Sequence, residues 1–372
     1  MRTARLLRAL AVTALLAAAC GSANTPATGN VTPATTNPSP TTTSSPSQQD
    51  PCPPPSNRCL ALVTLRGSNS YAVRDMTDIS HAKTVSNLGT IPQPQFVSAT
   101  DLSYADNSGL VRTPLAGSPK TIVVKTSQGV GLFAWSPDGR TVVYTTESKP
   151  GTATVHQLSA GQDRVLGSVP AVPAVGCETI ANCFGADTWD FKLTYSPDGA
   201  FISLVTSVAN VSVFRLWSSD GKVLKTSDSQ SPFMAAWSGR SLYFRDAKGV
   251  EVWRDGTVSS FLPGVAWIRP KASPGGGQIV YETRDAQRWA HTYVVDTTSG
   301  KVRDLGKAHA EPVFLTTRYI WYQGERACVA ADQCGTRVAG VPSGKTYIYD
   351  LQDGTETESL ITSVYDVWPH AA

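Results

Sequence analysis

Six of the chain's seven cysteines fall into three close pairs, Cys52/Cys59, Cys177/Cys183 and Cys328/Cys334. Paired thiols at short spacing either oxidise to disulfides or hold a metal. A structural zinc needs four Cys or His ligands. None of the five histidines (His81, His156, His291, His309, His370) lies close in sequence to a pair, and no Cys-x-x-Cys occurs. Disulfides are therefore expected at all three pairs, and no metal. Two further stretches set a hydroxyl beside a carboxylate, Ser136-Pro137-Asp138-Gly139 and Ser196-Pro197-Asp198-Gly199. Both suit a tight turn better than a catalytic pair. Pro fixes φ at the second position, Asp bonds the local backbone, and Gly takes the left-handed position that starts the next strand. No Gly-x-Ser-x-Gly or His-Glu-x-x-His is present, and Gly275-Gly276-Gly277 lacks the Lys-Ser/Thr that would make a phosphate cradle. A protein without enzymatic activity and without a cofactor is expected.

The segments that carry these residues divide the chain into three parts. Residues 1–19 hold Arg2, Arg5 and Arg8, no acid, and an apolar run from Ala9 to Ala19 that is too short to span a bilayer. The run ends Leu15-Leu16-Ala17-Ala18-Ala19-Cys20-Gly21-Ser22. Small residues before a Cys resemble a bacterial lipoprotein cleavage box, although Ala17 stands where Leu is commonest and Leu16 lies one step earlier. The resemblance implies a signal peptide over 1–19, cleavage before Cys20, and palmitate-type lipid on Cys20. The mature protein would then be extracytoplasmic and anchored to the cell membrane; plain secretion is the rival. Residues 20–57 are rich in Thr, Pro and Ser, and Asp50 is their only charge. Such a segment buries too little apolar surface to order itself and reads as a disordered linker. Extended as polyproline II, it reaches on the order of 100 Å. Without the three leading arginines the chain holds 29 basic and 29 acidic residues. That balance argues against a nucleic-acid partner.

From residue 58 to 372 short strands alternate with turn residues. Phe133-Ala134-Trp135-Ser136-Pro137-Asp138-Gly139 runs into the apolar Val142-Val143-Tyr144, and sixty residues on Leu193-Thr194-Tyr195-Ser196-Pro197-Asp198-Gly199 runs into Phe201-Ile202. A repeated hairpin indicates a repeat architecture. This aromatic-Ser-Pro-Asp-Gly unit resembles the TolB-like, WD-related β-propeller repeat of bacterial envelope proteins; Trp237-Ser238-Gly239 and Ser273-Pro274-Gly275 are degenerate copies. A sialidase-type aspartate box is excluded, because Asp138 and Asp198 each abut their Gly. The resemblance implies an all-β fold, a single propeller of about seven four-stranded blades, with six or eight as alternatives. The first blade, from about residue 58, shows only three strands. Val364-Tyr365-Asp366-Val367-Trp368-Pro369 has the form of an inner strand, so the C-terminal strand is expected to complete that blade.

In such a fold the d-to-a and b-to-c connections leave one face, and the a-to-b and c-to-d turns leave the other. The long insertions near 169–188 and 324–344, each with a cysteine pair, then share a face with the Arg284–Trp289 loop. Both chain ends fall on the opposite face. Long stapled loops are candidates for recognition. The expected binding face comprises Glu178, Asp187, Trp189, Asp190, Arg288, Trp289, Glu325 and Arg326. The expected protein is a monomer that serves as a scaffold for an unidentified envelope protein or a cell-wall glycan. Alternatives are a propeller enzyme acting on a carbohydrate or lactone, with carboxylates converging at the channel, and a sensor accessory to a membrane signalling kinase.

Overall fold

The computed structural model describes residues 52, 57–92, 94–149, 152–170, 192–208, 211–229, 234–329, 332 and 340–370. Among these residues twenty-eight strands form seven antiparallel four-stranded sheets. Sheet one contains β1 (Leu60–Leu65), β2 (Tyr71–Asp75) and β3 (Lys83–Gly89). Sheet two contains β4 (Gln95–Phe96), β5 (Asp101–Asp106), β6 (Gly109–Pro114) and β7 (Thr121–Val124). Sheet three follows with β8 (Phe133–Trp135), β9 (Thr141–Lys149), β10 (Thr152–Ser159) and β11 (Gln162–Pro170). Sheet four has β12 (Lys192–Tyr195), β13 (Phe201–Val208), β14 (Val211–Ser218) and β15 (Val223–Ser229). Sheet five has β16 (Ala235–Ser238), β17 (Ser241–Asp246), β18 (Gly249–Arg254) and β19 (Thr257–Pro263). Sheet six has β20 (Ile268–Ala272), β21 (Gln278–Arg284), β22 (Ala290–Asp296) and β23 (Val302–Lys307). Sheet seven has β24 (His309–Phe314), β25 (Tyr319–Ala327), β26 (Gly340–Asp350) and β27 (Glu356–Glu358). The last strand, β28 (Ile361–Trp368), returns to sheet one and pairs with β1.

The seven sheets form a β-propeller, and the side-chain pattern explains why. Second strands are apolar on both faces: Leu60-Ala61-Leu62-Val63, Val142-Val143-Tyr144, Leu242-Tyr243-Phe244 and Ile320-Trp321-Tyr322 are all buried. A strand that is apolar on both faces needs a neighbour on each side. Seven hydrophobic clusters meet that need among the described residues, one between each successive pair of sheets. The seventh joins sheet seven (Leu315, Trp321) to sheet one (Ala61, Val63, Met76) and closes the ring. Outer strands are polar and exposed, as in Lys83–Gly89 of β3.

The Ser-Pro-Asp-Gly turns form as their chemistry dictates. Gly139 N–H donates to the Ser136 carbonyl at 2.8 Å, and Gly199 N–H to that of Ser196 at 2.8 Å. Gly139 sits at φ +65°. The Ser136 hydroxyl accepts from Thr141 N at 2.9 Å and donates to Asp138 at 2.6 Å. Ser196 repeats both bonds with Phe201 and Asp198, at 2.9 and 2.6 Å. The Sγ atoms of Cys52 and Cys59 lie 2.10 Å apart beside the cluster that joins sheets seven and one, a placement that permits the expected bridge. Cys20, Cys177, Cys183 and Cys334 lie outside the described residues. Among the described residues no helix is long and apolar enough to cross a membrane.

Candidate functional site

Of the expected binding residues, Glu178, Asp187, Trp189 and Asp190 lie outside the described residues, whereas Arg288, Trp289, Glu325 and Arg326 are described. These four stand together where sheets six and seven meet, at the ends of β21 and β25. They do different work. Arg288 is exposed at the tip of a short loop, at φ +66°, and its carbonyl accepts from Arg284 at 2.9 Å. Trp289 is half-buried. Its N–H donates to Asp285 at 2.8 Å, and the Lys307 ammonium sits 5.0 Å from the centre of its ring. Lys307 also pairs with Asp285 at 3.0 Å. Burial raises the Asp285 carboxyl, but Lys307 and the Trp289 amide outweigh it and hold the group below the usual carboxylate range. Arg326 is exposed and clasps Asp332 with two bonds of 2.6 and 2.7 Å, which brings Asp332 down to about 2.

Glu325 belongs to the interior. Its side chain is 3% exposed, one oxygen meets Arg284 at 2.5 Å, and the other accepts from Ala290 N at 2.8 Å. Both oxygens are committed to the protein's own groups. Arg284 reaches back to Glu282 at 2.6 Å; Glu282 is 0% exposed and accepts from Glu311 N at 2.9 Å. Arg269 faces Glu282 at 3.6 Å and Glu311 at 3.4 Å. Desolvation pushes the Glu282 carboxyl up, partly offset by Arg284, the Glu311 amide and Arg269. A chain of five charged side chains thus runs from the Trp289 loop to the inner strands.

The inner end of that chain has a structural signature that the sequence reading missed. Arg269-Pro270 and Glu311-Pro312 occupy matching places in the neighbouring inner strands β20 and β24. Both charged residues are left-handed, at φ +50° and +55°, and both sit in a register shift. Proline inside a strand belongs at a bulge, and the X-Pro pair within each strand pattern was the available signal.

All seven innermost strands line one cavity of 310 Å³. Phe96, Trp135, Tyr195 and Trp237 come from sheets two to five; Lys271, Phe314 and Asp366 come from sheets six, seven and one. A second cavity of 240 Å³ borders it, lined by Arg269, Lys271, Glu311 and Tyr365 among others. The two are the central channel. Asp366 ties sheet one to its neighbour sheet two, accepting from Phe96 N at 2.7 Å and Val367 N at 3.0 Å, with His370 Nε2 3.2 Å from each oxygen. Partial desolvation lowers the His370 imidazole, although 40% of the side chain stays exposed, but the Asp366 carboxylate prevails and holds it above its ordinary value.

Solved structures with this fold are known. A prolyl endopeptidase matches 86% of the chain and 50% of its own length, at 13% identity and a TM-score of 0.55. TolB from Acinetobacter baumannii matches over 83% of this chain and 81% of its own, at 14% identity and a TM-score of 0.41. An oligogalacturonate lyase solved with manganese matches over 82% and 84%, at 10% identity and a TM-score of 0.48. At such identities the likeness concerns the fold alone. No protein family and no curated protein matches the chain's sequence.

Proposed function

We propose that the chain is a membrane-anchored, extracytoplasmic lipoprotein whose monomeric propeller is a binding scaffold for an envelope protein or a cell-wall glycan. The lipid sits on Cys20, and the linker holds the propeller away from the membrane. One observation carries this reading. The strand order puts the 285–289 loop and the Arg326 end of β25 at one end of the sheets, while β1 begins and β28 ends at the other. The chain therefore enters the propeller at the end of the sheets opposite the Arg288, Trp289 and Arg326 edge. The proposal is for binding rather than turnover, because the channel carboxylates of Asp366 and Glu311 are engaged by backbone amides, His370 and Arg269.

The test is in-cell crosslinking and purification of the lipidated protein, beside a variant whose 177–183 and 328–334 loops are replaced by short Gly-Ser turns. A discrete partner held by the native protein and lost by the variant supports the reading. Equal capture by both, or capture by neither, refutes the assigned face.

A further inference from the structure

We infer that the central channel holds a second site, for a small organic anion with a flat or apolar body, and that Lys271 is its charge-reading residue. This site is separate from the partner-binding edge and does not depend on that reading. Four residues line both channel cavities and so mark their junction: Lys271, Val313, Val364 and Tyr365. Lys271 is half-buried on the inner strand β20, where its backbone pairs with Val280 of β21, and among the described residues its ammonium has no ion-pair or hydrogen-bond partner. The acids that line the same two cavities, Glu311 and Asp366, have partners other than Lys271. Glu311 is paired with Arg269 at 3.4 Å, and Asp366 serves two amides and His370. A half-buried ammonium with no counter-charge of its own attracts an anion more strongly than a fully solvated one does.

The rest of the junction selects an organic body over a bare inorganic ion. Tyr365 leaves 49% of its surface exposed although it lies in the channel, and it is braced edge-on by Tyr71 at 4.8 Å. An aromatic ring held on one side and open on the other is a stacking surface. Val313 and Val364 complete an apolar wall. The cavity, 310 Å³, lies at the low end of the range for ligand pockets, about 300–1,000 Å³. That size admits a compact carboxylate and excludes a chain-like polyanion from lying wholly within.

The probe is benzoate, titrated into the full chain by calorimetry and ligand-observed NMR, with benzyl alcohol as its neutral counterpart and inorganic phosphate as its apolar-free counterpart. Benzoate is expected to bind saturably, with benzyl alcohol at least about tenfold weaker, the worth of one charge-assisted contact. Lys271→Met should weaken benzoate by about the same factor and leave benzyl alcohol unchanged. Tyr365→Ala should weaken both organic probes, and Lys248→Met, on an exposed turn, should weaken neither. Three results overturn the inference: no saturable benzoate binding up to about 10 mM, equal affinity for benzoate and benzyl alcohol, or benzoate binding that survives Lys271→Met. Phosphate binding as tight as benzoate overturns the organic part. Circular dichroism and a thermal melt of each variant verify that it is folded, so a loss of binding is read only from folded protein.

Discussion

Replacing Glu325 by alanine tests whether the charged chain between sheets six and seven supports the fold. The change removes the carboxylate that meets Arg284 at 2.5 Å and the acceptor of Ala290 N at 2.8 Å, in a side chain that is 3% exposed. Breaking one half of a buried pair costs about 3–5 kcal/mol, mostly because the remaining charge is stranded. Arg284 keeps Glu282 at 2.6 Å and is 23% exposed, so the lower end applies. A loss of about 3 kcal/mol lowers the melting temperature by roughly 4–5 °C in a domain of this size. Glu325→Gln keeps an acceptor for Ala290 N and loses only the charge, so it should fall between the two. Arg326→Ala is the control: Arg326, next in sequence to Glu325, clasps Asp332 on the surface, where ion pairs contribute little. The assay is thermal unfolding followed by circular dichroism at neutral pH. A shift below about 2 °C for Glu325→Ala, or one as large for Arg326→Ala, refutes the structural role.

Three further outcomes are expected. Burial depresses the His309 imidazole, against the pull of Glu356 and Asp304, so the folded protein binds its proton less readily than the unfolded chain. Stability should fall as pH drops below the ordinary histidine value of about 6.5, and His309→Gln should flatten the melting-temperature profile between about pH 7 and pH 5. An unchanged slope counts against it. Ser136→Ala and Ser196→Ala each strand a turn amide, that of Thr141 or Phe201, and should cost about 1–2 kcal/mol apiece. Denaturant melts of the two single variants should show costs of similar size; a cost below about 0.5 kcal/mol for either counts against the turn's role. Cys20→Ala should move the protein from the detergent phase to the aqueous phase in Triton X-114 partitioning; retention in detergent argues against the anchor.

Most of the architecture was legible because it rests on local chemistry. The turns are written in four-residue units, the doubly buried strands in runs such as Val142-Val143-Tyr144, and the closing strand in Val364–Pro369. Sheet two was the least legible, and its inner strand β4 is only two residues long. The site was less legible, because its parts meet only after folding. Glu325 and Arg326 are adjacent in sequence yet one is interior and one exposed, a difference set by the Arg284 side chain forty-one positions away. Lys271, Val313, Val364 and Tyr365 come from three sheets, and no spacing in the chain announces their convergence. The Arg269-Pro270 and Glu311-Pro312 bulges had a sequence signature, but its meaning depends on the two strands being neighbours.

The pairing of β28 with β1 also orders events in time. Thr64 and Thr362 hydrogen-bond at 2.9 Å across 298 residues of chain. A ribosome delivers the N-terminal end first, so Leu60–Leu65 waits with one edge unpaired until Ile361–Trp368 has emerged. Sheets two to seven can assemble as they arrive, but the circle is sealed by β28. A chain cut before β28 would keep most of its sheets and carry a permanent sticky edge, open to pairing with other chains and to proteolysis.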